Sequence, residues 1–395
     1  MRLKFGALVT SGSGKLGGSV IQGGKNGPVL RSQGLRSTAK ELTASYPQYL
    51  VRNRQDSLTK SWKALSQSLR DFYETTKPPH FSGFSWFCAS NFNDIGSSWF
   101  SLGRIGTAAR IYCFLSLPNG ICFIGTGTDG KIYRSTDYGQ TWVNSPAAFG
   151  QTTIVCLCDC GNGIILAGTG ITGKILRSTN YGLTWSDLGS MFAERNIASI
   201  IYCGDGIVLA STTNLAHILR STNYGLSWSD LGRQFSQLYI QGMLYLGSGV
   251  CIAGTGNSGY ILRSTDFGLT WLNQGNQAAQ TNINCFALLP SGVIIAVNTN
   301  TNAVLKSVDN GKSFFLLSYL ASGLTASGIV AFSDNLLFVS TASTSFLSKS
   351  TDGGKTWSII NTGISIAAAF SVGRIGKVKL FLGTGVGGIL AISTI

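Results

Sequence analysis

One sequence word returns every 43 residues through most of this chain, and this repeat limits what the chain can fold into. The word is Ser-x-Asp/Asn-x-Gly-x-Thr/Ser-Trp/Phe, and its copies begin at Ser135, Ser178, Ser221, Ser264, Ser307 and Ser350. One step back reaches Phe92, and one step forward reaches Ser393. Short apolar runs separated by turn residues at this spacing predict one small β-sheet per repeat.

Composition supports an all-β chain. Charged residues make up 12% of the 395 residues, and 51 residues are glycine, which suits many short strands joined by tight turns. Positive charge is concentrated at the start: residues 1–80 hold 13 Lys/Arg and 4 Asp/Glu, whereas residues 81–395 hold 17 and 12. The basic segment is therefore expected to face nucleic acid or a negatively charged protein surface.

Residues 1–80 are predicted to form a small docking module. Ser19–Arg31 is typical of a hairpin. A helix is predicted over residues 56–74, and Lys77-Pro78-Pro79 follows it as a stiff link. A hairpin and one helix bury little surface alone, so the module is expected to dock on a partner. The amphipathic helix favours a protein partner over nucleic acid. Its apolar face consists of Leu58, Trp62, Leu65, Leu69 and Phe72.

Residues 81–395 are predicted to form a seven-bladed β-propeller. Each repeat offers four short strands, which is the pattern of a propeller blade. Seven registers separate Phe92 from Ser393, so we count seven blades. The last blade is expected to combine inner strands from the carboxyl-terminal stretch with the turn and outer strand of residues 92–103. Such closure removes the free sheet edges of an open ring.

The repeated word resembles the Asp-box of sialidases, sortilins, xyloglucanases and photosystem assembly factors, and the resemblance implies a propeller. In the word itself, the Asp or Asn can accept backbone N–H groups of its own turn, and Gly permits a left-handed backbone. The aromatic residue packs into the blade. The following residues are therefore predicted to be structural: Asp94, Trp99, Asp137, Trp142, Asn180, Trp185, Asn223, Trp228, Asp266, Trp271, Asp309, Phe314, Asp352 and Trp357.

Other apparent sites also follow the repeat. Most cysteines and all G-x-G-x-x-G matches recur at equivalent positions, so we predict buried packing residues and turns, with no cofactor or metal. No run approaches membrane-spanning length, and no membrane insertion is expected. Basic residues in register either form an anion-binding face or cover neighbouring strands, and their shared environment favours the second interpretation. They are Arg134, Arg177, Arg220, Arg263, Lys306 and Lys349.

The sharpest enzymatic alternative is a sialidase-like glycosidase. Glycoside cleavage generally needs two convergent carboxyl groups, yet Glu194 is the only glutamate in residues 81–395, and Asp187 and Asp230 share one repeat position. We therefore expect no enzyme activity. A scaffold of the photosystem-assembly type is a further alternative, although an export or transit segment would normally precede it.

A second resemblance points to a virion. Gly14-Lys-Leu-Gly-Gly-Ser-Val20, Gly27-Pro-Val-Leu-Arg31 and Val51-Arg-Asn-Arg54 with the helix around Trp62 resemble an amino-terminal module of tailed-phage structural proteins. The resemblance implies a non-enzymatic phage virion protein, made in the bacterial cytoplasm and attached through residues 1–80 to capsid, neck or tail proteins.

The propeller of such a protein would bind a host-surface glycan or protein, or decorate the particle. Loops that differ between blades are the candidate contact sites, because aromatic and arginine residues on loops are frequent contact anchors. The candidates are Phe192, Glu194, Arg195, Arg233, Phe235 and Gln237.

Overall fold

A computed structural model of the chain describes strands of two compact units, Met1–Ser98 and Trp99–Ile395. The predicted boundary at residue 80 lies within the first unit. The described residues are 14–16, 19–24, 27–32, 100–107, 110–139, 141–145, 150–190, 196–321, 325–341, 346–361, 369–375, 379–385 and 389–394. The predicted helix at 56–74 and the word beginning at Phe92, with Asp94 and Trp99, lie outside them.

The described part of the first unit is a three-stranded antiparallel sheet in the order β1-β2-β3. Its strands are β1 (Gly14–Leu16), β2 (Ser19–Gly24) and β3 (Gly27–Ser32). The predicted hairpin corresponds to β2 and β3, which pair from Gly24 opposite Gly27 to Ser19 opposite Ser32. Strand β1 was not predicted; it pairs with β2 across a two-residue connection.

The second unit is an all-β propeller, and its described residues contain no helix. Six blades each consist of four consecutive antiparallel strands. Their strands are, for blade 1, β5 (Arg110–Ser116), β6 (Cys122–Gly127), β7 (Ile132–Ser135) and β8 (Val143–Ser145); for blade 2, β9 (Ile154–Asp159), β10 (Ile165–Thr169), β11 (Lys174–Ser178) and β12 (Ser186–Ser190); for blade 3, β13 (Ile197–Gly204), β14 (Ile207–Thr212), β15 (His217–Ser221) and β16 (Ser229–Arg233); for blade 4, β17 (Ile240–Gly247), β18 (Val250–Thr255), β19 (Tyr260–Ser264) and β20 (Leu272–Asn276); for blade 5, β21 (Ile283–Leu288), β22 (Ile294–Asn298), β23 (Ala303–Ser307) and β24 (Phe315–Tyr319); and for blade 6, β25 (Ala326–Ala331), β26 (Leu337–Thr341), β27 (Phe346–Ser350) and β28 (Ser358–Asn361).

One further four-stranded sheet joins the two ends of the second unit. Its strands are β29 (Ala369–Ile375), β30 (Lys379–Thr384), β31 (Ile389–Thr394) and β4 (Phe100–Arg104), in that order. Strand β31 pairs with β4, with Ile392 opposite Phe100. The predicted count of seven therefore needs correction: the structure has six blades of consecutive strands, and a seventh unit exists only as this composite sheet.

The core lies between neighbouring sheets, around the second strand of each blade. Every residue of β10 and of β18 is buried, because both faces of these strands pack against other sheets. The first strands lie innermost and contact one another from blade to blade, and β29 contacts both β25 and β5. The fourth strands form the outer rim, and β12 and β16 are exposed at both ends and half-buried between them.

The cysteines pack between blades as the repeat indicated. The Cys113 thiol lies 3.7 Å from the Ile154 carbonyl oxygen of the next blade, and Cys156 makes the equivalent contact to Ile197 at 3.6 Å. All eight cysteines in the described residues are free. Burial raises the pKa of the Cys156 thiol to about 12. No helix in the described residues has the length and apolar character to cross a membrane.

Candidate functional site

The repeated word forms a tight turn between the third and fourth strands of a blade, here called the box turn. In blade 1, the Ser135 hydroxyl donates to Asp137 Oδ1 at 2.7 Å and accepts the Gly139 N–H at 2.8 Å. The Thr141 N–H and hydroxyl donate to the two Asp137 oxygens. Because these bonds occupy both carboxylate oxygens, the side chain is held for the turn and is not presented to a substrate.

The other blades repeat this arrangement with small variations. Asn180 and Asn223 replace the carboxylate in blades 2 and 3, and the Asn180 amide donates to the Thr184 hydroxyl at 2.8 Å. In blade 6 the hydroxyl and N–H of Thr356 hold the pKa of Asp352 at about 2. These bonds give the predicted structural residues of the described box turns a local role.

Four of the six basic residues in register, all of them arginines, connect neighbouring blades. Arg177 Nε donates to the Tyr224 carbonyl oxygen of the next blade at 3.0 Å, and Arg220 Nε donates to that of Phe267 at 3.1 Å. Arg134 and Arg263 make the same contact with Tyr181 and Asn310. A half-buried guanidinium engaged with a backbone carbonyl acts as a tie between blades, which favours the structural interpretation over an anion-binding face.

Two non-box aspartates pair with side chains of the same blade. Asp187 lies 2.6 Å from Lys174 Nζ, and Asp230 lies 2.8 Å from His217 Nδ1. Both pairs join the third strand to the outer strand, away from the innermost strands. Within the described residues no group of three His, Cys, Asp or Glu side chains is placed to hold a metal ion.

The end of the propeller opposite the box turns carries the connectors between blades, and we call it the loop face. It carries four exposed apolar residues near the junction of blades 3 and 4, together called the loop-face patch here. The patch consists of Leu215 (41% exposed), Phe235 (41%), Leu238 (38%) and Tyr239 (37%). The Gln234 N–H donates to the Ala216 carbonyl oxygen at 3.1 Å, so the two loops that supply these residues lie side by side.

The loop that carries Phe235 is fixed by its own hydrogen bonds. Arg233 donates from Nε to the Gln237 carbonyl oxygen at 3.0 Å and from Nη2 to the Ser236 carbonyl oxygen at 2.8 Å. The Gln237 N–H bonds the Gln234 carbonyl oxygen at 3.0 Å. Arg233 is therefore a positioning residue that braces the backbone of this loop.

Phe235 occupies a backbone conformation that bulky residues seldom adopt. Its φ is +46°, and Ser236 follows at +56°. The sister loop between blades 4 and 5 has the same form, with Ala278 at +55° and Ala279 at +56°. Because Ala serves at this place in the sister loop, the turn itself does not require an aromatic residue. Box-turn residues such as Tyr224 share the left-handed backbone, so the exposure of Phe235 distinguishes it more than its φ does.

The structure brings together half of the predicted contact residues. Arg233, Phe235 and Gln237 belong to one loop, and Gln237 is only 6% exposed, so it lies beneath the surface. Phe192, Glu194 and Arg195 lie outside the described residues. Sequence reasoning missed Leu215, Leu238 and Tyr239. The sequence does mark the loop that carries Phe235, because Gln234 and Gln237 recur one repeat later as Gln277 and Gln280.

Comparison with known proteins gives the fold. No protein-family model matches the chain, and no curated protein matches its sequence. Among solved structures, YCF48 bound to a D1 peptide shares 17% identity and a TM-score of 0.62 over 75% of this chain and 97% of that one. A catalytically inactive virginiamycin B lyase from Staphylococcus aureus with quinupristin shares 12% identity and a TM-score of 0.67 over 76% and 99%.

A GH74 xyloglucanase from Xanthomonas campestris shares 15% identity and a TM-score of 0.61 over 75% of this chain and 53% of the enzyme. These neighbours include enzymes and a peptide-bound protein, and identities this low define only the class. The chain is a β-propeller protein, and its function has to be argued from its own surface.

Proposed function

We propose that the propeller is a non-enzymatic binding module that engages a partner through the loop-face patch. The observation that carries this proposal is Phe235, an exposed aromatic residue held at positive φ where the sister loop has Ala278. Exposed aromatic residues on a rigid loop are effective binding anchors, because little conformational freedom is lost on docking.

The described carboxylates support a role without catalysis. Box carboxylates such as Asp137 and Asp266 are engaged by their own turns, and Asp187 and Asp230 are paired with basic side chains. The likeness to a xyloglucanase shows the fold alone. The likeness to YCF48 bound to a D1 peptide also shows the fold alone, and it gives one example of a propeller with a bound peptide.

We further propose that residues 1–80 attach the protein to a tailed-phage particle, so that the loop face is displayed to a host surface or to neighbouring virion subunits. This part of the proposal rests on the resemblance of residues 14–72 to the amino-terminal module of phage structural proteins. Antibodies against the propeller should label purified particles in negative-stain images. Particles that lack the protein would remove the virion assignment and leave the binding module to be tested separately.

The binding role is tested by cell adsorption of the purified full-length chain. Fluorescently labelled protein should adhere to cells that the parent phage infects, and Phe235→Ala should reduce this adherence about tenfold, as expected for one anchor residue. Leu226→Ala is the matched control, because Leu226 is 58% exposed at the box-turn end. Equal adherence of the two variants would contradict the use of the loop-face patch.

A further inference from the structure

An unpaired amide oxygen lies beneath the loop-face patch. Gln237 is 6% exposed, and its Oε1 is a buried acceptor without a hydrogen-bond partner. Its Nε2 donates to the Phe235 carbonyl oxygen at 3.2 Å, which fixes which end of the amide is the oxygen. A buried acceptor without a donor costs about 1–3 kcal/mol, so this oxygen needs an explanation.

Sister positions in the repeat show how the oxygen is normally paired. Gln280 has the same side-chain bond, from Nε2 to the Ala278 carbonyl oxygen, and its Oε1 accepts the hydroxyl of Thr301. Gln151 likewise accepts the hydroxyl of Thr172. In both pairs the threonine follows the glutamine by 21 residues.

At Gln237 the corresponding residue is Ser258, and the bond is not made. Ser258 lacks the threonine methyl group that restricts the hydroxyl to few orientations. Of the three glutamines, Gln237 is the one whose oxygen stays unpaired, although Ser258 carries a hydroxyl at the equivalent place. Ala278 takes the place of Phe235 in the loop of Gln280, and Phe149, before Gln151, lies outside the described residues.

We propose that Gln237 Oε1 is an acceptor for the partner, and that the partner is a protein segment that supplies a backbone N–H to this oxygen and an apolar side chain to the patch. This inference rests on the proposed binding role of the loop face. The patch favours protein over glycan because Leu215 and Leu238 offer only apolar surface, and the Arg233 Nε and Nη2 groups are engaged by loop carbonyls. Because the oxygen is covered in the free chain, binding requires a local rearrangement that opens a path to it.

Small probes test this site without knowledge of the natural partner. N-methylacetamide mimics a backbone amide beside a methyl group, and methyl-labelled leucine signals report its binding to the full-length chain. Leu215 and Leu238 signals should shift and saturate, whereas Leu226 at the box-turn end should not respond. Methyl glucoside, with hydroxyl donors, should not produce the same shifts.

Ser258→Thr recreates the pairing of Thr301 with Gln280, so that Gln237 Oε1 accepts a hydrogen bond from the chain itself. We expect this variant to unfold at higher temperature and to bind N-methylacetamide about fivefold more weakly, since one net hydrogen bond is exchanged. Unchanged probe affinity in Ser258→Thr would overturn the proposal, as would a response to methyl glucoside alone. An ordered water that stays on Gln237 in a probe-bound crystal structure would also overturn it.

The probe experiment and the adsorption experiment fail independently. Cell adherence could depend on Phe235 while the leucine signals do not shift with N-methylacetamide. That result would support the proposed function and contradict this inference.

Discussion

Substitution of a single box glycine measures how tightly each box turn packs on the preceding blade. Gly182, in the box turn of blade 2, has a φ of +74°, and a Cβ built there would lie 2.3 Å from Cε1 of Phe123 in blade 1. Phe123 is fully buried. A left-handed backbone costs an L-residue about 1–2 kcal/mol, and forcing a methyl group into a packed core costs about 1–3 kcal/mol more. Gly182→Ala should therefore lose about 2–5 kcal/mol of unfolding free energy.

Gly161 supplies the matched control. Its φ is +77°, nearly that of Gly182, yet nothing lies within 4 Å of a Cβ built there. Gly161→Ala should therefore show only the backbone cost of about 1–2 kcal/mol. The difference between the two variants isolates the contact between the box turn and Phe123, because the conformational strain is common to both.

The assay is urea unfolding of the full-length chain, followed by tryptophan fluorescence and by circular dichroism to check that both signals report one transition. At about 2–4 °C per kcal/mol for a unit of roughly this size, the two variants should also differ in melting temperature by several degrees. Equal unfolding midpoints would refute the reasoning. They would show that the Phe123 ring yields freely, and that the box turn does not seal the core between blades 1 and 2.

Other predictions follow from the same contacts. Arg220→Met should lower the unfolding free energy by about 1.5–3 kcal/mol through loss of the bond to the Phe267 carbonyl oxygen, and urea unfolding that matches the wild type would contradict the tie between blades. Asp352 has a folded pKa of about 2, below an unfolded value of about 4, so its stabilising contribution is present above about pH 4 and lost as pH falls through 2. Asp309 also has a pKa of about 2, so Asp352→Asn, with Asn180 as internal precedent, should reduce, without abolishing, the fall in melting temperature over that range. Burial raises the pKa of Cys285 to about 12, so iodoacetamide at pH 8 should label this thiol only after unfolding, as read by peptide mass spectrometry.

The repeat predicted the residues whose roles are local. The Asp137 turn needs only its own hydroxyl and N–H partners within the eight-residue word, so the sequence contains the whole interaction. The tie from Arg220 to Phe267 could be anticipated only as a shared environment, because its acceptor is a backbone carbonyl 47 residues away. The composite sheet was predicted from the incomplete registers at both ends of the repeat. The predicted count of seven blades was wrong, because that sheet is not built from consecutive strands.

The loop-face patch could not be predicted from residue types alone. Leu238 and Tyr239 immediately precede β17, and apolar residues there are equally typical of the buried first strand. Their exposure depends on where the chain turns inward, which happens at Ile240. The position of that bend depends on the left-handed residues Phe235 and Ser236. They lie outside the repeated word, so the word does not predict their conformation.

Comparison of the repeats distinguishes residues that the fold requires from residues that can vary. The loops around Gln237 and Gln280 have the same flanking glutamines, the same side-chain bond and two consecutive left-handed residues, so the backbone conformation survives a change from Ala278 to Phe235. The fold gains no turn bond from the aromatic ring, and the bond that Thr301 gives to Gln280 is not made at Gln237. One loop therefore holds an exposed ring and an unpaired acceptor, and neither of them stabilises the fold. A ligand that donates to the acceptor explains this combination more simply than stability does. For that reason Ser258→Thr, which should raise stability while lowering affinity, is the variant in which the two explanations differ in sign.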